Sequence, residues 1–215
     1  MTIKHHLTEN LLMGYAAGTL PEAFNLIVAS HVSMCDDCRA ALESYEALGG
    51  AVLEERGVAM AETGLADCLA RLDDVPTPAP VARKAPVSDG TLPAPLRDYV
   101  GGDVDAIRWR HVGGGVKQAI LSTSDSASAR LLFIPAGAAV PDHGHRGMEL
   151  TMVLQGAFAD ETDRFARGDV EIADEDLEHM PVADIGEDCI CLAVTDAPLR
   201  FRSLIPRLLQ PLLKI

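Results

Sequence analysis

Hydrophobic positions recur along this chain with two different periods, and the change falls near residue 95. In the first third the period is helical. Leu11, Leu12, Tyr15 and Ala16 share one face, with Thr8 placed to cap the start of a helix and Gly18 to stop it. Pro21 suits a first helical position, after which Phe24, Ile27, Val28, His31 and Val32 line one side of a second helix. A third helix is predicted from Asp36 through Leu42, Tyr45 and Leu48, disturbed at Gly49-Gly50. A fourth, from about Ala61 to Leu72, carries Leu65, Cys68, Leu69 and Leu72, with Cys68 expected as a small core residue. Beyond residue 96 the apolar residues come in short runs or alternate, separated by Gly, Pro and Asp. Segments 129–134, 149–156, 168–172 and 189–194 are predicted strands of an antiparallel barrel or sandwich.

Between the two patterns lie prolines 76, 78, 80, 86, 93 and 95. Proline donates no backbone hydrogen bond and biases its predecessor toward extended geometry, so this stretch reads as a semi-stiff linker. The predicted division is a helical domain over 1–74, a linker over 75–95, a β domain over 96–200 and a tail over 201–215. The tail's Leu204, Ile205, Leu208, Leu209, Leu212 and Leu213 suit packing on the β domain or on a partner.

Composition narrows the class. Aromatics are 4 % of the chain against 48 % apolar residues overall, so the cores must be built from aliphatic side chains. A formal charge of −14 opposes direct binding to nucleic acid and suits a basic protein partner. The first residues, MTIKHHLTEN, lack the basic-then-apolar pattern of a signal peptide. No apolar run approaches the ~18–20 residues that cross a bilayer, so a cytoplasmic location and no membrane contact are expected. Five sparse cysteines favour thiolate ligands or free thiols over a disulfide framework.

His31-x3-Cys35-x2-Cys38 has chelating logic. Residues four apart share a helix face, and two residues between cysteines make a common bite for tetrahedral zinc. The fourth ligand is assigned to His6, with His5 the neighbouring alternative. Two thiolates and two imidazoles close the coordination sphere, so this is expected to be a structural site that staples a small helical core. His6 followed by a helix, and then His31, Cys35 and Cys38, resembles the zinc-binding anti-sigma domain over roughly residues 1–75. The resemblance implies a helical domain that binds an extracytoplasmic-function sigma factor and blocks its access to core RNA polymerase. Residues 1–75 carry twelve acidic against four basic residues, a charge suited to steering onto a basic sigma surface.

Gly137-x5-His143-x-His145-x3-Glu149-x6-Gly156, with Gly168 and His179 eleven apart, matches the two cupin motifs. His143 and His145, two apart on a strand, point the same way, and Glu149 and His179 are placed to converge from neighbouring strands on a divalent ion. The chain departs from the second motif in having Asp174-Glu175-Asp176 where Pro-x-Gly is usual, and Ala183 where Asn is usual. Cys189 and Cys191, two apart on a strand, are either a paired core feature or a redox pair.

A zinc-binding anti-sigma domain joined to a cupin resembles the ChrR-type anti-sigma factors over nearly the whole chain. The resemblance implies a small zinc-stapled helical domain plus an antiparallel jelly-roll cupin β-barrel. It also implies two zinc ions per chain, the second replaceable by another divalent metal, and a one-to-one complex with a sigma-E-type sigma factor. The sigma factor would be released through the cupin domain in response to singlet oxygen. The expected role is regulatory, not enzymatic; the alternative is a cupin metalloenzyme, a dioxygenase or isomerase, with a zinc-stapled appendage.

Overall fold

The computed structural model describes residues 2–73, 90–141, 143–144, 146–175, 177–197 and 200–201, the side chains of Asp73, His143, Arg200 and Phe201 excepted. Thr8 accepts a hydrogen bond from the Leu11 amide at 3.4 Å and opens α1 (Glu9–Ala16). Gly18, at φ +66°, turns the chain out of it in the left-handed region. Pro21 stands at the N-cap of α2 (Glu22–Val32). The third helix, α3 (Asp36–Glu55), runs without a break through Gly49-Gly50, against expectation. Both glycines face open space, and a cost of roughly 1 kcal/mol each relative to alanine does not end a helix of this length. The fourth, α4 (Gly64–Asp73), also forms, but Cys68 is exposed instead of buried, because Leu65, Cys68, Leu69 and Leu72 all face outward.

Residue 74 and, of the predicted linker, residues 75–89 lie outside the described residues, and residues 90–95 are folded. Leu92 and Leu96 are fully buried, Pro93 caps α5 (Ala94–Val100), and Pro95 sits in its first turn, where a missing amide hydrogen costs nothing. The tail beyond residue 201 is likewise outside the described residues, as is its packing.

The β domain comprises β1 (Arg110–Gly113), β2 (Val116–Leu121), β3 (Ser128–Ile134), β4 (His143–Gly144), β5 (Glu149–Gln155), β6 (Ala157–Ala159), β7 (Arg164–Ala166), β8 (Val170–Ala173), β9 (Glu178–His179), β10 (Val182–Ala183), β11 (Cys189–Thr195) and β12 (Arg200–Phe201). A six-stranded antiparallel sheet runs β1-β2-β3-β11-β5-β8, and two three-stranded sheets run β10-β6-β7 and β12-β4-β9. The arrangement is a jelly-roll sandwich; the expected closed barrel is not formed among the described residues. One cause is the corner between β5 and β6. Gly156, at φ +68°, passes so close to the Asp188 carbonyl that a Cβ would lie 2.7 Å from it, and the chain there leaves one sheet for another.

The large sheet is covered on both faces. Phe158, Phe165, Val153, Cys189 and Cys191 fill the space between sheets. The opposite face, with Leu131, Leu150, Met152, Leu192 and Val194, joins Phe24, Ile27 and Val28 of α2 in a single core. That double cover explains why β11 reads as an unbroken apolar run and is buried at every position. The Cys189 and Cys191 sulfurs lie 3.5 Å apart as free thiols in the inter-sheet core. The hydrogen bond shared with Cys189 and burial push the Cys191 thiol far above its ordinary range, which disfavours the reactive thiolate. No helix among the described residues is long and apolar enough to cross a membrane.

Candidate functional site

The turn between α2 and α3 sets the amino-terminal site. His31 ends α2, Cys35 caps α3 with its sulfur toward the Cys38 amide, and Cys38 follows one turn on. His6, just ahead of α1, closes the set. Its Nδ1 is 3.3 Å from the Cys35 sulfur and 3.6 Å from that of Cys38, and His31 Nε2 is 3.3 Å from the Cys38 sulfur. All four donor atoms lie within 4.8 Å of one another. Tetrahedral zinc with ordinary bond lengths needs nitrogen–sulfur separations of about 3.6 Å, so the donor set and spacing fit that ion. His5 does not join them. Its ring packs against Phe165, with Nε2 3.1 Å from Asp163.

The electrostatics suit ligation. Burial pushes His31 down to about 4, partly opposed by its hydrogen bond to Gly168, so the imidazole is neutral. Nδ1–H donates to the Gly168 carbonyl at 2.9 Å, which leaves Nε2 with its lone pair toward the sulfurs. Burial pushes the metal-free Cys38 thiol up to about 11, and two buried sulfurs facing two imidazoles gain most from a divalent cation that replaces their protons.

The second constellation is only partly within the described residues. His145 lies outside them, and of His143 only the backbone is described; it pairs with His179 across β4 and β9. Glu149 is buried at the start of β5, where it accepts from the Thr151 hydroxyl at 3.3 Å and lies near the buried guanidinium of Arg130. His179 is buried with two carboxylates absent from the sequence reading: its Nδ1 lies 2.8 Å from Asp160 Oδ2 and 3.0 Å from Glu171 Oε1. Burial pushes Glu171 up to about 7. For His179 burial works the other way and is outweighed by the two carboxylates, which raise it to about 9. Asp160 is held well below the usual carboxylate range despite its burial, by bonds from Glu171, Thr162 and His179.

Asp160, Glu171 and His179 also cluster closely enough to hold an ion themselves. A ring whose Nδ1 faces carboxylates ligates through Nε2, so Asp160 and Glu171 fit the role of orienting His179. One unused signal in the sequence could have found Glu171, an acidic residue within the apolar run 170–173; Asp160, in a polar loop, offered none.

Residues 98–198 match the ChrR cupin-like domain family. The chain is 59 % identical, over the full length of both proteins, to the anti-sigma-E factor ChrR of Cereibacter sphaeroides. It also resembles the crystal structure of Rhodobacter sphaeroides SigE in complex with the anti-sigma ChrR. There the TM-score is 0.79 and the identity 56 %, covering 91 % of this chain and 100 % of the other.

Proposed function

Because this chain belongs to the family of the anti-sigma-E factor ChrR, we propose that it is an anti-sigma factor that holds a sigma-E-type sigma factor in a one-to-one complex. The partner is thereby kept from core RNA polymerase. The single observation that carries this reading is 59 % identity, over the full length of both proteins, to a relative named as an anti-sigma-E factor, a name that the likeness to a ChrR crystallised with SigE supports. A partner of the transcription machinery supports a cytoplasmic location, and the protein's work in this reading is a change of affinity between two states, not turnover.

The two parts of the molecule divide this work. His6, His31, Cys35 and Cys38 tie α1 to the α2–α3 turn, and a zinc ion bound there supplies a rigid cross-link. The second half of α3 and α4 each present apolar side chains to solvent, with Leu48, Val52, Leu65, Leu69 and Leu72 each more than half exposed among the described residues. Clustered exposed apolar side chains mark contact sites, and we assign these to the sigma factor. The acidic charge of residues 1–75 favours approach of a basic partner.

The cupin-like domain is the sensor in this reading. His143, His145, Glu149 and His179 hold its ion, zinc or another divalent metal, with Asp160 and Glu171 behind His179. Singlet oxygen attacks imidazoles, thiols and thioethers. Damage to a ligand, or to Cys189 and Cys191 between the sheets, would disturb coordination and packing together.

The test is co-expression with a tagged sigma-E-type sigma factor, purification of the complex, metal analysis, and illumination with a photosensitiser. One sigma factor per chain, bound zinc, and release on illumination that a His179→Ala chain no longer shows are the expected results. Failure to retain the sigma factor sinks the anti-sigma reading. Normal release from the His179→Ala chain sinks the sensor.

A further inference from the structure

The His31 ring and the backbone of the arm that leads into His6 both lean on one short turn of the β domain, between β7 and β8. Gly168 gives its carbonyl to His31 Nδ1 at 2.9 Å. Asp169 Oδ1 accepts from the amides of Lys4 and His5 at 2.7 and 3.0 Å, and the Val170 amide donates to the His5 carbonyl at 3.2 Å. The residue before His6 is thus pinned at both backbone groups, and the ring of His31 is pinned at its second nitrogen. The thiolates are placed differently, on the first turn of α3, with the Cys38 amide directed at the Cys35 sulfur at 3.5 Å.

We propose that the Gly168–Asp169 turn positions the imidazole half of the amino-terminal metal site, so that this site is completed from the β domain. The inference rests on the zinc reading of His6, His31, Cys35 and Cys38.

Local geometry supports a dedicated role for the turn. Gly168 holds φ +91°, a region that favours glycine, and a Cβ there would lie 2.7 Å from Ile3 Cδ1. A side chain at this position would press on Ile3 of the amino-terminal arm. Asp169 is 3 % exposed, and besides the arm it takes the Ala166 amide on Oδ2 at 2.9 Å, which fixes the carboxylate in its own turn. The next residues enter β8, and Glu171 contacts His179 Nδ1 at 3.0 Å. Residues 168–171 therefore touch both candidate metal centres, and a displacement of β8 at one end is felt by the ligands at the other. Partners behind a ligand set metal affinity by holding the ligating ring in orientation, and their loss typically costs 10–100-fold in affinity.

Cobalt in place of zinc tests this in the full chain, because thiolate-to-cobalt charge-transfer absorption reports the cysteine-ligated site alone. Competition against a chelator then gives the affinity. Asp169→Ala is expected to weaken cobalt binding at that site by about 10–100-fold. Asp169→Asn keeps an acceptor for the Lys4 and His5 amides and is expected to lose less, yet measurably. Glu22→Ala removes a different contact with the β domain, to the Tyr99 hydroxyl and the Ser124 amide, and is expected to leave the affinity unchanged.

Wild-type affinity in a folded Asp169→Ala chain overturns the proposal. If that chain does not fold, the Asn variant decides, and wild-type affinity there overturns it equally. A loss in Glu22→Ala as large as in Asp169→Ala also overturns it, since docking as a whole would then be responsible. Absence of the charge-transfer band in the unaltered chain means that the zinc reading itself has failed, and the proposal falls with it.

Discussion

Replacing Cys38 with serine is expected to release the ion from the amino-terminal site and abolish capture of the sigma factor. Cys38 is 4 % exposed, and its sulfur lies within hydrogen-bonding reach of both His6 and His31. Serine offers a neutral hydroxyl there, a poor ligand for zinc, and three ligands with a gap do not hold a structural ion. In zinc-finger peptides the ion contributes about 10–16 kcal/mol at neutral pH, and that free energy is folding free energy. The helical domain is small and would lean on such a contribution.

The loss is not confined to the ion. His31 and Cys35 would remain buried with partners designed for a cation, and the α2–α3 turn would lose its tie to the residues ahead of α1. Sigma binding should fall by at least about 100-fold, roughly 2.7 kcal/mol. The β domain should stay folded, because the hydrophobic core between its sheets is built, among the described residues, from side chains of that domain. Metal content, a pull-down and a thermal melt check all three points. Cys68→Ser serves as the control and should change nothing, its side chain being exposed on α4. Full inhibitory strength in a Cys38→Ser chain shown to lack metal would remove zinc from the account.

Much of this was legible in the sequence, and what was missed has a common cause. Local rules worked where the deciding partner lies within a few residues: the Thr8 cap, the Gly18 stop, the gathering of His31, Cys35 and Cys38 at one turn, and the strands at β3, β5, β8 and β11. They failed where a distant surface decides. Cys68 and the leucines of α4 look like core by periodicity, yet nothing in a helical period says whether the apolar face meets its own chain or another. Pro93 and Pro95 look like linker, yet Leu92 and Leu96 find the core beside α2 and turn the prolines into a helix start. Gly49-Gly50 looks like a break, yet with open space around it the helix has no cause to bend. At the second site the histidine and glutamate spacing was visible. Asp160 was not, because a carboxylate in a polar loop becomes an orienting group only when the fold carries it against His179.

The same outward-facing leucines that misread as core yield the sharpest test of the sigma-binding surface. Leu65, Leu69 and Leu72 lie four and three residues apart, on one side of α4, and are 65 %, 53 % and 63 % exposed. Leu48 and Val52 on the second half of α3 are 64 % and 56 % exposed, so both helices present apolar side chains that water disfavours and that the other described residues leave uncovered. A partner that covers it gains the burial free energy, with the central residue contributing most. Leu69→Asp puts a charge at that centre. It should weaken sigma binding by about 2–4 kcal/mol, roughly 30- to 1000-fold in Kd, through faster dissociation.

Because the side chain is exposed in the free chain, zinc content and melting temperature should remain those of the parent, within about 0.5 kcal/mol of stability. That pairing separates it from Cys38→Ser, in which metal and binding are lost together. The acidic flanks act on a different quantity. Raising salt should slow association of the parent and of Leu69→Asp alike, since both keep the charge that steers the encounter. Unchanged affinity in Leu69→Asp would move the sigma factor off this face and leave the exposed leucines of α3 and α4 to some other contact.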